Sequence, residues 1–199
     1  TQGKKLKKLT DTEFDSMDGD YSPDGKSIVF SSNRTGSNEL FIMDGEGGAV
    51  RQLTYSVKIE NTPRWSPDGS RILFLRSETE ESQSDLYTVD LEGNNLTQIT
   101  DTPELQEFHE SWSPDGTQIC YVQVKDGVFE VAIVSSTGGK EHVIVRKEGY
   151  QAFYPNWSPD GRFITFTRDI MEGTTTGLPA LFKVDMDGKE QMLSNKNSF

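Results

Sequence analysis

Trp65-Ser66-Pro67-Asp68-Gly69, followed by the run Arg71-Ile72-Leu73-Phe74-Leu75, is the stretch on which the fold turns. Pro67 fixes φ, Asp68 carries a carboxylate that bonds the backbone ahead, and Gly69 accepts the positive φ of a tight turn. The run after it is rich in branched and aromatic residues, as strands are. The turn recurs as Ser22-Pro23-Asp24-Gly25, Ser113-Pro114-Asp115-Gly116 and Ser158-Pro159-Asp160-Gly161, with prolines 44, 47 and 45 residues apart. An aromatic precedes each copy: Tyr21, Trp65, Trp112 and Trp157, which include all three tryptophans of the chain. A period of this length marks a repeat architecture.

A second marker keeps the same phase. Leu9-Thr10, Leu53-Thr54, Ile99-Thr100 and Leu193-Ser194 share it, and the third repeat ends in the weaker Val143-Ile144-Val145. Between the markers the pattern is all β. In the second repeat Asp85-Leu86-Tyr87-Thr88-Val89-Asp90 alternates as a half-buried strand does, and Leu96 to Thr100 reads as the outer strand. A four-stranded unit of ~40–45 residues cannot bury both faces alone, and radial stacking of such units is the β-propeller. The fold class is therefore all-β, a propeller of four-stranded antiparallel blades with four repeats in one domain, 1–199. The repeats run 11–54, 55–100, 101–145 and 146–194. The tryptophans are expected to wedge between blades as core.

Residues 4–10 read as an extra outer strand, which leaves one outer strand surplus. The chain is then a closed four-bladed ring with one terminal strand displaced, a part of a larger ring, or a ring completed by self-association. Blades adapted to six subtend ~60° each and leave a gap in a ring of four.

The net charge of −12 disfavours binding to phosphate backbones, so no nucleic-acid partner is expected. No apolar stretch approaches the ~18 residues of a membrane span. The single cysteine, Cys120, lies in the apolar run Ile119-Cys120-Tyr121-Val122 and reads as a buried structural thiol.

The aromatic-Ser-Pro-Asp-Gly turn, the apolar strand, then Leu40-Phe41, Leu86-Tyr87 or Leu181-Phe182, then Leu-Thr, together resemble the TolB-type propeller repeat. The loop Ser32-Asn33-Arg34-Thr35-Gly36 is similar to that family too. The resemblance covers Leu9 to Ser194. It implies a six-bladed ring, a periplasmic or extracellular location, and kinship with envelope scaffolds, propeller domains of prolyl-oligopeptidase-like hydrolases and some polysaccharide lyases. The third repeat departs from the pattern, with Val131-Ala132 for Leu-Tyr and no Leu-Thr.

The segments joining each outer strand to the next inner strand are expected at the channel mouth. They carry the candidate site residues Asp18, Asp20, Glu60, Glu107, His109, Glu110 and Tyr154. Their carboxylates could converge on a hard cation such as calcium, although the glycine and glutamate spacing of an EF-hand loop is missing; no other cofactor is expected. Catalysis has little support. There is no Gly-x-Ser-x-Gly elbow, and His109 and His142 fall in different parts of the repeat. The expected function is a non-catalytic scaffold that presents an acidic channel face to a protein partner. The alternative is a carbohydrate-binding or lyase-like module using the same face, with His109 and Glu107 or Glu110 as acid and base.

Overall fold

The computed structural model describes residues 7–10, 13–172, 175–176 and 179–193. Four antiparallel sheets stand as blades around an axis. Blade I holds β1 (Ser16–Tyr21), β2 (Ser27–Ser32), β3 (Glu39–Asp44) and β4 (Arg51–Gln52). Blade II holds β5 (Ile59–Trp65), β6 (Arg71–Ser77), β7 (Ser84–Asp90) and β8 (Thr97–Gln98). Blade III holds β9 (Gln106–Trp112), β10 (Gln118–Lys125), β11 (Val128–Ser135) and β12 (His142–Arg146). Blade IV holds β13 (Tyr150–Trp157), β14 (Phe163–Glu172), β16 (Ala180–Asp185) and β17 (Glu190–Met192), with β15 (Thr175–Thr176) pairing β14. No helix occurs among the described residues.

The Ser-Pro-Asp-Gly turn closes the same way each time. In blade II the Ser66 hydroxyl donates to Asp68 Oδ1 at 2.7 Å, and Oδ1 also accepts the Ser70 amide at 3.0 Å. Ser66 Oγ in turn accepts the Arg71 amide at 2.9 Å. Bonds of this kind stabilise the charged carboxylate, and those from Ser22 and Ser158 lead in holding Asp24 and Asp160 down at about 2.

The alternation of each second strand sends one set of side chains to each neighbouring blade. Val29, Leu40, Ile42 and Leu53 of blade I pack with Trp65, Ile72, Phe74 and Val89 of blade II. Leu73, Leu75, Leu86 and Ile99 meet Trp112, Ile119 and Tyr121 across the next junction. Cys120, Val131 and Ile133 meet Trp157, Ile164 and Phe166 across the third. Each tryptophan is buried at its junction. The indole N–H of Trp65 donates to the Asp20 carbonyl at 3.2 Å, and that of Trp112 to the Arg64 carbonyl at 3.4 Å. Tyr21, the counterpart on blade I, is 55% exposed and donates to the Gly45 carbonyl at 3.2 Å. Among the described residues no hydrophobic cluster joins blade IV to blade I.

The surplus outer strand falls partly outside the described residues, at 4–6, and residues 7–10 are not a strand. Leu9 packs on Ile28, Phe30, Phe41 and Met43 of blade I. Leu53 packs on the corresponding residues of blade II, so Leu9 sits where the outer strand of a preceding blade would sit.

The Leu-Thr marker also has a physical role. The Thr54 hydroxyl accepts the Leu40 amide at 3.0 Å and donates to the Glu60 carboxylate. The Thr100 hydroxyl accepts the Leu86 amide at 2.8 Å and donates to Glu107 at 2.7 Å. Each threonine thus ties the end of one blade to the inner strand of the next. Where the marker is lost, at Val145-Arg146, the next inner strand carries Ala152 in place of the glutamate, and Arg146 turns back to Glu130 within blade III.

Candidate functional site: the axial pocket

Every inner strand breaks its register once. At each break a non-glycine residue takes a left-handed backbone: Asp18 (φ 56°), Thr62 (φ 53°), His109 (φ 59°) and Tyr154 (φ 53°). Each lies four residues before the serine of its Ser-Pro-Asp-Gly turn. Such backbone costs on the order of 1–3 kcal/mol per residue and persists only where the surroundings impose it. Thr62 is β-branched, which raises the cost. Thr62 and Tyr154 also precede Pro63 and Pro155, and a residue before proline prefers extended backbone. The bulge re-aims side chains, as bulges beside sites do.

The four bulge residues, one per blade, line a single pocket of about 720 Å³ together with Asp20, Arg64, Glu110 and Asn156. A second pocket, of about 830 Å³, adjoins it; it shares Asp18 and Thr62 and adds Asp15, Val57, Glu78 and Glu80.

Glu110 is the most unusual group of the first pocket. It is 5% exposed, and neither carboxylate oxygen has a well-aligned hydrogen bond, although the Thr62 hydroxyl lies close enough to act on it. Burial pushes it up to about 7, against the smaller opposing pull of the Thr62 hydroxyl and the Arg64 charge. His109 beside it is pushed down, first by burial and then by Arg64, and its Nδ1 has no hydrogen-bond partner. The imidazole lies against the Tyr154 ring, tilted by 40° with 4.1 Å between centroids, and Phe108 meets it edge-on at 4.9 Å. The Tyr154 ring stays 67% exposed.

Of the seven residues singled out from sequence, Asp18, Asp20, His109, Glu110 and Tyr154 line this pocket. They stand on inner strands rather than in the connecting loops. Asp20 is partly committed to structure, because its carboxylate accepts the Trp65 amide at 2.8 Å. Glu60 and Glu107 lie elsewhere, buried between blades. Glu60 pairs with Arg76 at 2.9 Å, and Glu107 holds the hydroxyls of Thr100 and Thr102, each at 2.7 Å. Burial raises both, Glu107 to about 7. Thr62 and Arg64 were not singled out, although the fixed four-residue spacing before each turn was there to find Thr62. Among the described residues no three His, Cys, Asp or Glu side chains converge as metal ligands.

The family model of the TolB beta propeller domain matches residues 1–198. The chain belongs to this family. A TolB homolog of Chlorobium luteolum is 29% identical over 164 residues, covering 62% of this chain and 37% of its own. This TolB-family chain spans about two-fifths of the length of the curated relatives it matches first. Among solved structures, a TolB described as putative from Agrobacterium tumefaciens superposes with a TM-score of 0.73 at 23% identity, over 89% of this chain and 64% of that one. An oligogalacturonate lyase in complex with manganese superposes with a TM-score of 0.58 at 14% identity, over 94% of this chain and 68% of that one. At such identities these superpositions show the fold alone. The TolB-type assignment and the propeller of four-stranded blades, both read from the repeats, stand on these findings.

Proposed function

We propose that this propeller is a non-catalytic scaffold that receives a protein partner in its axial pocket, and that it works outside the cytoplasm as its TolB homologs imply. The observation that carries this reading is the bulge ring. Four left-handed residues of unlike chemistry, Asp18, Thr62, His109 and Tyr154, are held at one place by four blades. Strain repeated in this way fits a preorganised recognition surface. His109 Nδ1 has no hydrogen-bond partner and Glu110 no well-aligned one, so no carboxylate orients the imidazole as a base. The adjoining second pocket supplies apolar contact as well, since Val57 in its lining is 94% exposed.

A photo-reactive benzoylphenylalanine placed at Tyr154 or at Val57 tests the reading, with Lys140, outside both pockets, as the control. A discrete protein adduct at the first two positions, competed by excess unlabelled protein and missing at Lys140, is expected. Equal adducts at all three positions would count against the axial pocket.

The carbohydrate reading draws on the exposed Tyr154 ring. Acidic sugars fit it poorly, because Asp18, Asp20 and Glu110 outnumber Arg64 in the same pocket. Turnover of oligogalacturonate, lost in His109→Asn, would reinstate it.

A further inference from the structure

Glu110 breaks the repeat. At the position after the bulge, blade I has Gly19, blade II has Pro63 and blade IV has Pro155; blade III alone puts an ionisable group there. The blade does not need a carboxylate at this point, since three copies do without it. Burying an unpaired carboxylate is costly, and the cost is met only when a partner or a proton arrives.

The charged and titratable groups facing Glu110 are few. Asp18 comes from β1 and Arg64 from β5, His109 precedes it on β9, and the buried Cys120 thiol comes from β10. Among the described residues no ion pair joins Arg64 to it; Arg64 Nη1 donates to the Pro63 carbonyl at 3.1 Å. Asp18 and Asp20 keep the lining acidic. Tyr154, 67% exposed, brings its ring to the same lining.

We propose that Glu110, with Asp18 and the Tyr154 ring, forms a subsite for an organic cation, a primary ammonium or guanidinium group on a side chain of the bound partner. This presupposes that the axial pocket is where the partner binds. A cation there donates charge-assisted hydrogen bonds to carboxylate oxygens that have no well-aligned partner, and makes a cation–π contact with the ring. Anions meet three carboxylates against the single guanidinium of Arg64. A neutral group leaves the buried charge unpaired. Because Glu110 is protonated in part near neutrality, binding drives its proton into the buffer, and the cation replaces it.

The test uses N-acetyl-lysine methylamide and N-acetyl-arginine methylamide as probes, with N-acetyl-norleucine methylamide as the uncharged match. Binding is followed by the NMR shifts of the His109 ring and by calorimetry in two buffers of different ionisation enthalpy. The cationic probes are expected to shift His109 and to release protons. Norleucine amide is expected to do neither, and Glu110→Gln, which keeps the side-chain shape, is expected to weaken the cations at least tenfold and abolish proton release. Asp187→Asn, on an exposed turn, should change nothing. Equal binding by Glu110→Gln, equal binding by the norleucine probe, or no shift up to about 0.1 M probe would each overturn the subsite. The photo-adduct at Val57 separates the two claims. An adduct that persists while the cationic probes fail removes the subsite and leaves the scaffold. Loss of adduct in the wild type while the probes still bind removes the scaffold.

Discussion

The Thr100 hydroxyl stands between two blades, accepting the Leu86 amide at 2.8 Å and donating to the buried Glu107 carboxylate at 2.7 Å. It satisfies a blade II amide and a blade III carboxylate at once. Thr100→Val keeps the shape but takes the acceptor from the Leu86 amide and one of two hydroxyl donors from Glu107. A buried group left unsatisfied costs about 1–3 kcal/mol, so the variant should lose roughly 2–4 kcal/mol by urea unfolding. A double-mutant cycle with Glu107→Gln should show coupling of about 1 kcal/mol or more, whereas additivity would remove the tie.

The junction tryptophans and Tyr21 share one place in the repeat but differ in what covers them. Trp112→Ala opens a cavity between blades II and III and should cost about 3–5 kcal/mol. Tyr21→Ala, at the uncovered end, should cost about 1 kcal/mol or less. Paired thermal melts check both.

Gly93 and Gly161 separate backbone freedom from crowding. Both have positive φ, +79° and +69°. A Cβ at Gly93 would lie 2.3 Å from the Leu53 carbonyl oxygen, while one at Gly161 meets nothing within 4 Å. Gly161→Ala should cost about 1–2 kcal/mol for the left-handed backbone alone. Gly93→Ala should cost clearly more, or prevent folding, because the outer strand of blade I must move. Equal effects would place Leu53 elsewhere.

Acid should stabilise this protein between pH 5 and pH 7. Glu107 and Glu110 sit at about 7 in the folded chain, above the unfolded value near 4.5. Across that window the folded state holds more protons than the unfolded state, so stability falls as pH rises, on the order of 3 kcal/mol per group. The turn aspartates Asp24 and Asp160, held at about 2, act only at lower pH. Urea unfolding at pH 5 and pH 8 should show the difference, and Glu110→Gln should reduce it. A flat profile in the wild type would mean that both carboxylates are compensated in the fold.

The blades were legible because turn chemistry and strand alternation repeat four times in register. What Leu-Thr does was not, since Thr54 and Glu60 or Thr100 and Glu107 meet only once blades stack. Glu60 and Glu107 looked like channel residues for a related reason. In an unbroken strand Glu107 and His109 would share a face. The bulge at His109 parts them, sending Glu107 between the blades and His109 to the axis. Asp18, Thr62, His109 and Tyr154 have no chemistry in common, so the bulge shows in the sequence only as a fixed distance from the turn.

Tyr154→Asn tests the central claim most directly. Asparagine tolerates the left-handed backbone better than tyrosine, so the fold should hold or gain up to about 1 kcal/mol, while the ring at the pocket is lost. Photo-capture of the partner at Val57 should then fall at least tenfold in a protein as stable as the wild type. Undiminished capture by a folded Tyr154→Asn protein would contradict the axial pocket as the binding surface.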